Sequence, residues 1–345
     1  METSRVAVLL GGYGEAEHEH EHEEYNERAL RLLVSKSIRF PERVIPWMAR
    51  LLGRRVRREW EREDHFHSPH NEIFEQQRAG IEHALAGQFG PEAVSVFTAL
   101  NFTDGLLPAQ VLRRIREAGF VRLAIYPLEV LDSVFTSGLV LQQVNEAFHE
   151  DGGWVREVRY FPSFADRPEF HRRLAAHISE GASPLLDRYA ATQIGVMLLL
   201  HGCPLESKGH EVGIRESEAL YRAVRTLLIS RFPLIHIGWM NHPTPAKWTS
   251  PDMETSAANL IELGAQAIVF APIGFVTENH ETVLDVSYVE RSLAGKVETL
   301  RLPSLNADPA FLEMAAGWIA PYVSELLHGH DCCVSDHERE TCCTT

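Results

Sequence analysis

IGVMLLLHGCP (194–204) runs apolar for seven residues and then stops at a histidine, a glycine and a proline. A strand that is apolar on both faces belongs in a parallel sheet covered by helices on each side. Gly202 and Pro204 end the strand and hold the loop. His201 therefore stands at a carboxyl end, where open α/β sheets line their functional crevice. A second run of this kind, AIVFAPIGFV (267–276), leads into TENHETVLDV (277–286) and delivers Glu281. An imidazole and a carboxylate meeting at two strand ends could move protons, hold a metal, or do both.

The same pattern extends along the chain. The first half offers VAVLL (6–10), AVSVFTAL (93–100), VRLAIYPL (121–128) and VREVRYFP (155–162). The second half offers 194–200, LIHIGWM (234–240), AIVFAPI (267–273) and VETLRLP (297–303). Amphipathic segments lie between them, at 71–89, 108–119 and 216–232 among others. This alternation predicts an α/β protein of two Rossmann-like domains, each with a four-stranded parallel sheet flanked by helices. The expected boundaries are 1–165, 166–328 and a Cys-rich tail, 329–345. Asp308 reads as the N-cap of a last helix, 309–327, with Pro309 at its first position. That helix has the option of packing back on the first domain.

Composition narrows the function. The 345 residues are 45% apolar and 23% charged, which is ordinary for globular domains. A net charge of −15 argues against nucleic-acid binding, which needs a positive footprint. No apolar run approaches the roughly 20 residues of a membrane span, and the N-terminus does not read as a signal peptide. The expected location is the cytoplasm, and the expected state a monomer or homodimer. Residues 39–62 go against the overall charge, with eight Arg against three Glu. This Arg-rich, partly apolar stretch reads as a solvated helix, an interfacial helix making peripheral membrane contact, or a lip whose arginines, Arg54 among them, bind carboxylates.

Histidines and cysteines cluster in three stretches. GYGEAEHEHEHEEY (12–25) follows the first strand and begins with Tyr13 between two glycines. On a helix, His18 and His22 would share a face at metal-binding spacing, although an alternating His/Glu run is also a solvated surface. Gly-x-Gly here is too short for the dinucleotide fingerprint, so NAD is rejected. In HFHSPHNEIFEQQ (65–77), Asn71 reads as a helix N-cap. Cys332, Cys333, Cys342 and Cys343 in the tail offer four thiolates, the number that holds zinc or an iron–sulfur cluster such as [2Fe-2S]. Their spacing matches no standard motif, and a non-ligating tail is the alternative.

Taken in order along the chain, these segments resemble the ferrochelatase family. Ser68 to Gln77 is similar to its SPL-x-x-x-T-x-x-Q segment, and Tyr126-Pro127 to its P-x-YP turn. Leu200-His201-Gly202-Cys203-Pro204 resembles the S-A-H-[GS]-[LI]-P motif that supplies the catalytic histidine. Gly238-Trp239 through Pro245, Trp248 and Pro251 resemble its Q-S-x-x-G-x-x-x-W-L-x-P stretch. Pro272 to Thr282 resembles P-[IV]-x-F-x-x-[DE]-H-x-E-T, and Leu305-Asn306 its late L-N pair.

The resemblance implies a class II chelatase of haem biosynthesis that inserts Fe²⁺ into a porphyrin, coproporphyrin III or protoporphyrin IX. It implies that His201 and Glu281 are the catalytic and metal-handling pair. Tyr13, Ser68, Arg54 and Trp248 are expected around the porphyrin, with Asp285 continuing a proton relay. Tyr13 falls where coproporphyrin-type members carry a tyrosine beside the metal. The chain departs from the family pattern at Gly14-Glu15-Ala16, at Asn101-Phe102, at LEVLDSVFTSG (128–138), and at Asn279-His280, where the family histidine moves one place on. Two other readings follow from the same residues. One is a chelatase inserting cobalt or nickel into sirohydrochlorin; the other is a tetrapyrrole- or metal-binding protein without catalysis.

Overall fold

A computed structural model describes residues 5–34, 42–206, 210–242 and 247–328. The first half contains β1 (Val6–Gly12), β2 (Val94–Leu100), β3 (Arg122–Pro127) and β4 (Glu157–Tyr160). They form a sheet in the order β2-β1-β3-β4, parallel throughout. The second half repeats the plan with β5 (Ile194–His201), β6 (Leu234–Met240), β7 (Ala267–Pro272) and β8 (Glu298–Arg301), ordered β6-β5-β7-β8. The predicted fold class is the observed one.

The order explains the sequence. β1 and β5 each have a neighbour on both sides and helices over both faces, so they are buried almost end to end. That is why they read as unbroken apolar runs. The edge strands β4 and β8 are only partly covered and carry Glu157, Arg159, Glu298 and Arg301. Charge on an edge discourages pairing with another chain. In both sheets the strand order reverses beside the first strand. The carboxyl ends of β1 and β5 are thus switch points, where α/β proteins bind ligands. Tyr13 follows one and His201 ends the other.

The α-helices among the described residues are α1 (His22–Ala29), α2 (Ile45–Arg62), α3 (His70–Phe89), α4 (Pro108–Glu117), α5 (Ser137–Asp151), α6 (Pro168–Ala182), α7 (Ile214–Leu228), α8 (Met253–Glu262), α9 (Val286–Leu293) and α10 (Pro309–His328). No described helix is long and apolar enough to cross a membrane. α10 leaves the second sheet and packs against α3 and the strands of the first. One apolar core therefore runs from Val8 and Phe74, through Phe311 and Ile319, to Val196 and Leu200. Gln77, fully buried on α3, adds a polar stitch between the halves. Its amide donates to Val276 O at 2.9 Å and Asn306 O at 3.0 Å, and accepts from the Thr277 hydroxyl at 2.8 Å.

Asp308 caps α10 as its position predicts. Its Oδ1 accepts from the Phe311 amide at 2.9 Å, and Arg173 reaches both oxygens at 2.8 Å. Burial pushes the Asp308 carboxyl up, but Arg173 and the Phe311 amide outweigh it and hold it below its ordinary value of 3.8. A depressed carboxylate contributes stability above its unfolded pKa and loses it as pH falls through the folded one. Asp308→Ala should therefore cost about 2 kcal/mol at neutral pH, combining a lost cap with a lost charged hydrogen bond. Urea unfolding at pH 7 and again in acid checks this, with the gap between variant and parent closing in acid.

Candidate active site

β5 and β6 end side by side, and their loops are laced together. Gly202 N donates to Met240 O at 2.8 Å, Leu205 N to Lys247 O at 2.8 Å, and Thr249 N to Cys203 O at 3.0 Å. A Cβ on Gly202 would lie 2.1 Å from Asn241 Oδ1 and 2.7 Å from Met240 O, so only glycine permits this approach. The lacing places His242, two residues beyond β6, against His201. Their Nε2 atoms are 3.2 Å apart.

Glu281 completes the group. It is 6% exposed and opens a π-helical turn, Glu281–Asp285, that leads into α9. Such turns occur often at functional sites. Glu281 Oε1 lies 3.5 Å from His201 Nε2 and 3.4 Å from His242 Nε2. Two imidazoles and a carboxylate, all within 4.8 Å of one another, form a donor set that could hold a metal ion. Burial disfavours charge on both rings, yet they separate. The Glu281 carboxylate overcomes burial at His201 and raises it to about 10. At His242 burial wins, and the neighbouring imidazoles help lower it to about 4. One ring thus holds a proton beside the carboxylate while the other keeps a free lone pair. Glu281, flanked by both, stays well below the ordinary carboxylate range despite its burial. Asp285, one turn on, is pushed to about 7 by burial, with Glu281 adding to the shift and His280 opposing it.

Aromatic residues and the Glu129 carboxylate come from the first half. Tyr13 packs on Phe102 at 4.7 Å between ring centroids, and Tyr25 on the same ring at 5.5 Å. Gly14, at φ 78°, turns the chain directly after Tyr13. Burial raises the Tyr13 hydroxyl far above its ordinary value, so it remains a neutral phenol. Glu129, from the divergent 128–138 segment, accepts from the Tyr13 amide, and burial lifts it to about 7. From the second half, Trp248 meets the His242 ring at 5.4 Å and Phe275 meets His201 at 6.4 Å.

Ser68 is buried and its hydroxyl donates to Glu15 Oε2 at 2.5 Å. Arg54 stands exposed on α2, lining a surface concavity with Trp47, Arg50 and Leu51. Trp47 is 67% and Leu51 57% exposed. Asn71 is not an N-cap: α3 already begins at His70. Its side chain instead closes a reciprocal pair with the backbone of Glu15, at 3.1 and 2.9 Å, and reaches Glu17 and Thr103. His18 and His22 do not share a helix face. His18 is extended and precedes a short 3₁₀ turn, and α1 begins only at His22, whose ring is buried against Trp60. The four tail cysteines and residues 39–41 of the Arg-rich stretch lie outside the described residues.

Three participants are not among the site residues expected from the sequence. His242 carried a signal, a histidine and a proline after an apolar strand, as at His201. Glu15 and His280 stand out in the sequence only as departures from the family pattern. They form a partly buried ion pair across the two halves, with His280 Nδ1 donating to Glu15 Oε1 at 2.6 Å and His280 N to Oε2 at 3.1 Å.

Comparison with known proteins bears on the family and the fold. The Ferrochelatase family model matches residues 5–322. The Ferrochelatase of Synechococcus sp. (strain JA-3-3Ab) is 26% identical over 236 residues, 67% of this chain and 68% of the relative. That of Synechococcus elongatus (strain ATCC 33912 / PCC 7942 / FACHB-805) is 25% identical over 319 residues, 90% of this chain and 80% of the relative. Among solved structures, SirB from Bacillus subtilis with Fe3+ superposes with a TM-score of 0.53 at 9% identity, covering 94% of this chain and 96% of that one. DR2241 from Deinococcus radiodurans, a multi-domain protein with structural similarity to chelatases, gives 0.51 at 11% identity. This chain spans about half of that protein, 55%. At such identities the structures speak for the fold alone. The family model spans both sheets and every strand end described above, and on that ground the chain belongs to the ferrochelatase family.

Proposed function

We propose that this chain inserts Fe²⁺ into a porphyrin, coproporphyrin III or protoporphyrin IX, as a step of haem biosynthesis. The observation that carries the reading is the convergence of His201, His242 and Glu281 at the switch point of the second sheet. Nitrogen and carboxylate donors suit Fe²⁺ as an incoming substrate. A porphyrin must lose two N–H protons as the metal enters, and pyrrole nitrogens are very weak acids. The proton therefore has to leave as the metal's charge arrives. His201 accepts it once the proton it already holds has been handed to Glu281, and Glu281 with Asp285 passes each proton towards solvent. Tyr13 and Phe102 supply an apolar, aromatic wall from the first half, with Tyr13 on the far side of the ring from His201. Arg54 and Arg50, beside exposed Trp47 and Leu51, support a lip that holds anions such as porphyrin propionates or lipid headgroups.

The test is anaerobic incubation with Fe²⁺ and, separately, coproporphyrin III, protoporphyrin IX and sirohydrochlorin, followed by absorption. Metalation of one or both porphyrins is expected. Turnover of sirohydrochlorin alone would overturn the porphyrin assignment. Tight porphyrin binding with no metalation under any condition would leave a binding protein in place of an enzyme.

A further inference from the structure

We propose that His18 and His67 form a second binding site for a divalent transition-metal ion, separate from the His201 group. The two residues are 49 positions apart, yet their Nδ1 atoms lie 3.0 Å from each other. Two cis ligands of an octahedral ion, at metal–nitrogen distances of about 2.1 Å, stand about 3.0 Å apart. A tetrahedral ion would require about 3.4 Å. The observed spacing thus fits a six-coordinate ion whose other positions are filled mostly by water.

The loops that carry the pair are already fixed. Ser68 N donates to Glu17 O at 3.3 Å, joining the residue before His18 to the residue after His67. Asn71 Nδ2 reaches the Glu17 carboxylate at 3.1 Å, and Ser68 Oγ reaches Glu15. Metal capture at this point would order little additional chain. More donors stand close by. The His20 ring stacks on His18 with centroids 5.5 Å apart, and its Nε2 is 3.9 Å from Glu21 Oε1. His18, His20 and His67 are exposed, so an ion from solution has access and no imidazole must be desolvated first. Imidazole donors suit nickel, copper, zinc and iron. The ordinary explanation of the contact is a single hydrogen bond between a protonated and an unprotonated Nδ1, which predicts no metal.

Calorimetric titration of the full chain with Ni²⁺ alone separates the two. The parent should bind one more equivalent than the His18→Ala/His67→Ala variant. His67→Asn should lose the same equivalent, although its amide oxygen can still accept from His18 and keep the loops in register. His201→Ala should retain this equivalent, so the result stands or falls independently of the proposed enzymatic activity. Equal Ni²⁺ stoichiometry and affinity in the parent and the double variant would overturn the site, as would full retention in His67→Asn.

Discussion

Glu281→Gln is expected to slow metal insertion by about 10²- to 10⁴-fold while the protein folds and still takes up porphyrin. Glutamine keeps the shape and one acceptor but removes the charge. His201, at 3.5 Å, and His242, at 3.4 Å, then face a neutral amide. A dication entering the group meets two imidazoles and no anion, and protons displaced from the porphyrin find no carboxylate to receive them. His201→Ala should give a loss of the same order. Because the two groups act as a unit, the double variant should be little worse than either single one. His242→Ala separates binding from proton transfer. If His242 only holds the ion, raising Fe²⁺ should recover most of the rate. Single-turnover metalation followed by porphyrin absorbance measures the rates, and fluorescence quenching measures porphyrin uptake. Near-parental insertion by His201→Ala or Glu281→Gln would remove both residues from the mechanism.

How far the sequence foretold this site depends on whether a residue's position follows from strand geometry. His201 and Tyr13 were legible because each directly follows a strand that is buried on both faces, and such strands announce themselves as apolar runs. Glu281 was legible once the run at 267–276 was placed beside them, although the π-helical turn that directs it inward leaves no periodic trace. His242 is half-legible: its strand, 234–240, stands out as an apolar run, but its closeness to His201 depends on which strands are neighbours. That order is a property of the sheet, and the local pattern of apolar residues does not encode it. The helical pairing of His18 with His22 was one of two readings of the histidine run, and it fails because the chain is extended at His18 and the buried His22 belongs to the packing of α1 on α2. Glu15 and His280 lie beyond this kind of reading, since their meeting requires both halves to be assembled.

That pair yields the largest expected effect on stability. Glu15 is 5% exposed, and its carboxylate accepts from Ser68 Oγ, His280 N and His280 Nδ1. Burial opposes charge on both partners, yet each charge holds the other. Glu15 lies below its ordinary 4.5, and His280 is raised from 6.5 to about 10. Glu15→Ala leaves a half-buried imidazole, an amide and a hydroxyl without their acceptor, and should cost about 3 kcal/mol. The signs fix the pH window. A depressed carboxylate contributes fully above its unfolded pKa, and a raised imidazole contributes fully below its own. The pair's contribution is therefore complete between about 4.5 and 6.5, fades in acid as Glu15 protonates, and is lost as pH rises through about 10. Urea unfolding of the parent, Glu15→Ala, His280→Ala and the double variant across this range measures the coupling directly. Additive losses in the cycle would mean that the two side chains do not act on each other. A Glu15→Leu/His280→Leu variant then distinguishes stability from positioning. An apolar pair can restore most of the lost stability, but it cannot reproduce the two hydrogen bonds that fix the residue preceding Glu281. It should fold at near-parental stability and still insert metal slowly. Full activity in that variant would show that the turn carrying Glu281 is positioned by the rest of the packing.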